Sequence, residues 1–402
     1  MQKKFNAIVG QSGGPTSAIN ATLAGVILEA AKSEEIGILY GAEYGIKGLM
    51  REDFINLTET FDTEEKINLL KQTPSAYLGS CRYKLDPEKD VDVVIDILKK
   101  HDIRYFFYIG GNDSMDTVDK LSKKANLHGI KVIGIPKTID NDLSVTDHCP
   151  GYGSCAKYIA TVTSEVARDT ACYDIETVTI IEIMGRNAGW LTAAASLARV
   201  NGEAAPHLVY LPEKPFDTEK FLEDVKEKIN KHKNVIVAVS EGIKDANGKY
   251  IAASDTLLKE DLFGHAQLGG AGKALEHLIA NRLKVKVRSI ELNTPQRCAA
   301  HLTSKTDIEE SVMIGTSGVK AAISGETGKM MIYKRISNEP YKITTASADI
   351  SLAANEEKIV PDCYINEDGN DITPEFIKYA LPLIMGEPEV IFDNGLPLNI
   401  KK

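Results

Sequence analysis

Val132-Ile-Gly-Ile-Pro136 runs without a break into Lys137-Thr138-Ile139-Asp140-Asn141-Asp142. The first five residues are apolar, which suits a strand covered on both faces. The next six carry an amine, a hydroxyl and two carboxylates. An apolar strand that ends in a polar loop is the pattern of an open parallel sheet, where ligands gather at the carboxyl ends of strands. The same junction recurs along the chain. Ile8-Val-Gly10 leads into Gln-Ser-Gly13-Gly14-Pro15-Thr16, and Phe107-Tyr-Ile-Gly110 leads into Gly111-Asn112-Asp113-Ser114. Ile181-Glu-Ile183 leads into Met184-Gly185-Arg186-Asn187, and Val237-Ala-Val239 into Ser240-Glu241-Gly242. Five such ends form one composite cleft if the strands are parallel.

Outward from these junctions, short β-rich runs alternate with helical patterns. Strands are expected over 5–10, 105–110, 132–136, 178–183, 207–211, 235–239 and 285–292. Helices are expected over 18–33, 115–125, 155–169, 187–199, 218–232, 271–282 and 298–325. The alternation predicts a doubly wound α/β architecture. Residues beyond 325 carry no motif that assigns them a role.

The 402 residues are 43% hydrophobic and 26% charged, which excludes a mostly disordered chain. A net charge of −10 disfavours a nucleic-acid-binding surface, so any anionic ligand must be drawn by local arginines and lysines. No apolar run approaches the ~18 residues of a membrane span, and residues 1–5 carry no secretory signal, so a cytoplasmic protein is expected. The six cysteines make no CxxC pair and read as buried or incidental thiols. HExxH and GxSxG are absent.

Gly13-Gly14 before a helix start lets backbone amides approach an anion, or it is a plain tight turn. Gly110-Gly111-Asn112-Asp113-Ser114 adds acid to the same arrangement. A carboxylate about 4 Å from a phosphate charge costs about 4 kcal/mol at an effective dielectric of about 20, unless a cation such as Mg²⁺ lies between them. Asn112 or Asp113 is therefore a metal candidate, or a helix cap. In Lys137–Asp142, an extended chain would put Thr138, Asp140 and Asp142 on one face and Lys137, Ile139 and Asn141 on the other. Paired carboxylates with an amine suit proton abstraction beside an anion; the alternative is an acidic turn. Arg82, Arg186, Arg288 and Arg297 are candidate phosphate clamps or solvated surface residues. Gly151-x-Gly153-x-x-Ala156 matches a dinucleotide pattern but follows Cys149-Pro150, not a strand, and is discounted.

Taken in order over about residues 5–325, Gly13-Gly14, Gly110-Gly111-x-x-Ser114, Thr138-Ile139-Asp140-Asn141-Asp142, Met184-Gly185-Arg186, Glu241-Gly242 and Gln296-Arg297 resemble the phosphofructokinase family. The resemblance implies two doubly wound Rossmann-like domains with the active site between them. Residues 1–150 plus about 296–345 would form the larger, donor-binding domain. Residues of about 151–295 plus 346–402 would form the smaller, sugar-phosphate-binding one. It also implies Mg²⁺-dependent phosphoryl transfer to the C1 hydroxyl of fructose 6-phosphate. Asp140 matches the proton acceptor, with Thr138 and Asp142 as neighbouring catalytic or substrate positions. Gly13, Gly14, Arg82 and Gly111 match donor contacts. Met184, Gly185, Arg186, Glu241, Gln296 and Arg297 match sugar-phosphate contacts. Arg288 resembles an arginine that reaches a neighbouring subunit's site, so a homodimer or homotetramer is implied.

Two departures from the ATP-using pattern refine this. Asp113 and Lys137 stand where those members typically have glycine, a pair that resembles the pyrophosphate-dependent branch. Asp113 would take the place of a nucleotide α-phosphate, and Lys137 would add charge beside a compact pyrophosphate. Asn112 replaces a metal-associated aspartate, which leaves Asn112 and Asp113 both open as metal ligands. Thr294 and Thr177 stand where a histidine and a cross-subunit arginine are typical. An ATP-dependent kinase and a non-catalytic sugar-phosphate-binding subunit are the competing readings.

Overall fold

The computed structural model describes residues 3–251, 270–353 and 357–402. Two sheets organise them. The first contains β1 (Phe5–Gln11), β2 (Ile36–Ala42), β3 (Phe54–Asn56), β4 (Ile103–Gly110) and β5 (Lys131–Pro136). The second contains β6 (Thr177–Ile183), β7 (Leu208–Tyr210), β8 (Asn234–Ser240) and β9 (Lys286–Glu291). The chain then returns to the first sheet with β10 (Lys329–Asn338) and β11 (Tyr341–Asp349). The strand orders are β11-β10-β5-β4-β1-β2-β3 and β7-β8-β6-β9.

The strands that carry the polar loops are parallel to their neighbours within each sheet. Their composition explains this placement. β4 buries seven of its eight residues and β6 all seven, as strands covered by helices on both faces must. Register then levels the loops. Gly10 pairs with Tyr108, and Gly110 with Pro136. In the second sheet Ile183 pairs with Ser240. The antiparallel pairs, β2–β3 and β10–β11, lie at the edges of the first sheet.

On one face of the first sheet, the helices Ile19–Lys32 and Lys305–Ile323 cross at glycines. A Cβ at Gly25 would lie 2.1 Å from the Val312 carbonyl oxygen, and one at Gly315 2.2 Å from that of Thr22. Substitution at either position forces the helices apart.

Several expected elements are altered. The strand expected at 207–211 is only Leu208–Tyr210. The helix expected at 187–199 is a short helix, Trp190–Ala194, continued by 3₁₀ turns over Ala195–Asn201. The helix expected from 298 starts at Lys305, where Ser304 Oγ caps it by accepting from the Asp307 amide at 3.4 Å. Residues beyond 325 complete the first sheet, because β10 pairs in parallel with β5 through Lys329↔Ile133 and Met330↔Gly134. Farther on, Phe376, Tyr379 and Leu383 pack into the core around Trp190.

Candidate active site

The carboxyl ends of β1, β4, β5, β6 and β8 open on one cleft of about 610 Å³. Gly13, Gly14, Arg82, Gly111, Asn112 and Asp113 line it from the first sheet, together with Lys137, Thr138, Asp140 and Asp142. Met184, Arg186 and Glu241 line it from the second, and Arg297 joins them.

The loop after β5 is not extended. Residues 139–140 turn, and Asn141 takes a left-handed conformation with φ 55°. The expected alternation of faces is therefore broken, and Lys137 lies in the same cleft as Asp140 and Asp142. Asn141 turns inward instead. Its Nδ2 donates to Tyr379 Oη at 2.9 Å, and its Oδ1 accepts from the Cys149 amide at 3.0 Å. The left-handed turn thus gathers the amine and both carboxylates on one wall.

Lys137 is only 3% exposed, and its Nζ donates to the Gly14 carbonyl at 2.7 Å. Burial pushes this amine down to about 8, while Asp140 and Asp142 pull the other way. Burial, with Asp142 and Glu241 nearby, pushes Asp140 up to about 7 against the pull of Lys137 and Arg186. Burial likewise raises Glu241 to about 7. Asp142 is raised by burial and held back by the Thr138 hydroxyl. Thr138 Oγ1 also accepts from the Asp140 amide at 3.1 Å. Gly13, at φ 78°, lets the backbone of the Gly13-Gly14 turn approach this amine, since a Cβ there would stand 3.1 Å from Lys137 Nζ.

Unsatisfied atoms mark what the cleft accepts. Arg186 Nε and Arg297 Nε are buried without a hydrogen-bond partner, as donors for an anion would be. Asn112 Oδ1 and Asp142 Oδ1 are buried acceptors without a donor, and Asn112 Nδ2 donates to Asp142 Oδ2 at 3.2 Å. An oxygen-only set of this kind fits Mg²⁺, which takes one or two protein ligands and leaves the rest to water and phosphate oxygens. Asp113 sits exposed in the first turn of the helix Asn112–Ala125 and also faces the cleft.

Three expected residues stand outside the lining. Gly185 supports Glu241: its amide donates to Glu241 Oε1 at 3.3 Å, and its carbonyl accepts from Ser240 Oγ at 2.5 Å. Gln296 is 2% exposed, and its Oε1 accepts from the Met184 amide at 3.2 Å. Both position the lining without forming it. Arg288 does not reach this cleft. It is exposed on the edge strand β9 and pairs with Thr179, well short of the carboxyl ends.

Sequence reasoning missed Asn187 and Glu357 on the cleft wall, where Asn187 Nδ2 donates to Glu357 Oε1 at 3.0 Å. Asn187 adjoins a recognised motif, but nothing in the sequence around Glu357 signals it. The discounted glycine pattern at 151–156 has a physical account. The Asp307 carboxylate accepts from the Gly151 amide at 2.9 Å and from the Ser154 amide at 3.0 Å, so an internal anion already occupies that helix start.

A family model described as Phosphofructokinase matches residues 6–290. A protein of Halomonas elongata named pyrophosphate–fructose 6-phosphate 1-phosphotransferase is 41% identical, over 98% of this chain and 95% of its own. A protein of the same name from Xanthomonas campestris pv. campestris is 42% identical, over 98% and 94%. The crystal structure of a pyrophosphate-dependent phosphofructokinase from Marinobacter aquaeolei superposes with a TM-score of 0.87 at 38% identity, covering 98% of this chain and 95% of that one.

Proposed function

Because the chain belongs to the phosphofructokinase family, we propose that it transfers a phosphoryl group reversibly from pyrophosphate to the C1 hydroxyl of fructose 6-phosphate, giving fructose 1,6-bisphosphate and phosphate. The observation that carries this reading is the buried Lys137 amine beside Asp140 and Asp142, with Asp113 on the same cleft wall. Asp140 accepts the hydroxyl proton as the sugar oxygen attacks phosphorus and the bond to the bridging oxygen breaks. The leaving phosphate takes that electron pair. Lys137 and the amides near Gly13 and Gly111 offset the charge that accumulates on the transferred group. Arg186, Arg297 and Glu241 orient the sugar phosphate, and Asp142 and Thr138 orient Asp140. Asn112 and Asp142, with Asp113 nearby, would hold Mg²⁺, which would supply charge neutralisation for the phosphoryl donor.

On this reading the unit of residues 1–150 with about 296–345 binds the donor, and that of about 151–295 with 346–402 binds the sugar phosphate. Arg288 belongs to a neighbouring subunit's cleft in a homodimer or homotetramer, and light scattering of an active monomer would reject that assignment. No helix among the described residues is long and apolar enough to cross a membrane, which is compatible with a cytoplasmic enzyme.

The donor assignment is tested at residue 113. With Mg²⁺ and fructose 6-phosphate, the unaltered protein turns over pyrophosphate and not ATP. Asp113→Gly removes a charge and the bulk expected to exclude a nucleotide, and ATP turnover should appear. A variant still inert to millimolar ATP defeats the exclusion by Asp113. Activity with ATP alone in the unaltered protein defeats the whole assignment.

The acid–base groups set the pH profile. The base must be ionised and the amine protonated. Asp140 ionises as pH rises through about 7, and Lys137 loses its charge as pH rises through about 8. The kcat/KM profile is expected to be a narrow bell with limbs near those values. A flat profile from pH 6 to 9 would contradict both roles.

A further inference from the structure

The segment Glu357–Val360 crosses between the two sheets beside the cleft. Leu143 and Glu357 form an antiparallel bridge, and the Lys358 amide donates to the Asp142 carbonyl at 2.7 Å. On the other side, the Lys358 carbonyl accepts from Trp190 Nε1 at 2.8 Å, and Glu213 Oε1 accepts from the amides of Val360 and Gly189 at 2.9 and 2.8 Å. One short segment therefore ties the loop after β5 to the loops after β6 and β7.

Lys358 carries most of this connection. Its Nζ donates to the Asp147 carbonyl at 2.9 Å, to the Thr146 carbonyl at 3.2 Å and to Asn141 Oδ1 at 3.4 Å, and it stands 5.1 Å over the Trp190 ring. Thr146 is 5% exposed and Asn141 fully buried, so the ammonium lies inside the protein, and none of these acceptors is a carboxylate. Withdrawing an ammonium from water without a close counter-ion is unfavourable, and it persists where the geometry it enforces matters. Here the loop it fastens contains two non-glycine residues in the left-handed region, Asn141 at φ 55° and Val145 at φ 60°. Such conformations last only where their surroundings over-determine them. Lys358 bonds both ends of that stretch, through its amide at Asp142 and its ammonium at Thr146 and Asp147.

We propose that Lys358 is a positioning residue for phosphoryl transfer: without touching substrate, it holds Asp140 and Asp142 in place opposite the Met184–Asn187 loop. The inference rests on the phosphotransferase reading above. The test compares Lys358→Met and Lys358→Arg with the unaltered protein in steady-state assays with pyrophosphate, Mg²⁺ and fructose 6-phosphate. Turnover by the unaltered protein is the control; its absence would count against that reading and leave the comparison to be read by Trp190 emission. Lys358→Met should lower kcat by about 30-fold or more with both KM values within about threefold, because misplaced groups cost the transition state and not binding. Lys358→Arg, whose guanidinium can donate to the same carbonyls, should recover at least about a third of kcat. Trp190 is the single tryptophan of the chain, so the link is also read optically, and its emission should move to longer wavelength in Lys358→Met. A folded Lys358→Met with kcat near that of the unaltered protein, or with unmoved emission, overturns the proposal. So does a loss that Lys358→Arg fails to relieve. If Lys358→Met does not fold, Trp190→Phe removes the indole donor at the other end of the link. It should lower kcat by about threefold or more at unchanged KM, and an unchanged kcat overturns the proposal equally.

Discussion

Asp140→Asn is expected to fold, to bind fructose 6-phosphate and to lose about 10³-fold or more in kcat. The amide has the carboxylate's shape but cannot accept the C1 hydroxyl proton. Arg186 and Arg297 are untouched, so KM for the sugar phosphate should stay within about threefold. Stability separates this loss from simple damage. Burial and the neighbouring acids raise Asp140 to about 7, so its ionised form is disfavoured in the folded protein. At a pH above that value the native carboxylate works against folding, and the neutral amide relieves the cost. The thermal midpoint at pH 8 should therefore hold or rise. Phosphate release in a stopped assay and a melting curve on the same sample decide the matter. An Asn variant that keeps a tenth of the native turnover would remove Asp140 from the role of base.

Lys137→Met should lower pyrophosphate-supported kcat by about 10²-fold or more, the scale of deleting one preorganised charge at a reacting group. The methionine fills nearly the same volume. The variant loses the bond to the Gly14 carbonyl at 2.7 Å but no longer buries an ammonium. These effects oppose each other, so the melting temperature should move little while turnover collapses. Lys137→Arg should not rescue it, because the space around the amine is narrow: a single methyl at residue 13 would already stand 3.1 Å away. Full activity in either variant, assayed at saturating pyrophosphate, would show that the amine does not serve the reaction.

Much of this was legible in the sequence because strand ends announce themselves. An apolar run such as Phe107–Gly110 that stops at Gly-Gly-Asn-Asp can be read without partners, and five such stops placed most of the cleft. The edge position of Arg288 was not legible, because a strand's residue type does not reveal its place in the sheet, and β9 lies at an edge. The wall shared by Lys137 and the two carboxylates was not legible either. It depends on a single left-handed residue, Asn141, whose conformation is fixed by Tyr379 and Cys149, contacts no local pattern encodes. Glu357 and Lys358 were silent for the same reason, since their importance lies in what they reach across the fold.

The pairing of β5 with β10 has a consequence for the birth of the molecule. The strand that leads to Lys137 and Asp140 gains its outer neighbour only when residues near 330 emerge from the ribosome. Until then the nascent chain offers an unguarded ladder of amides and carbonyls beside its most reactive loop, a template for pairing with other chains. A chain truncated before β10 should therefore aggregate rather than persist as a half-enzyme.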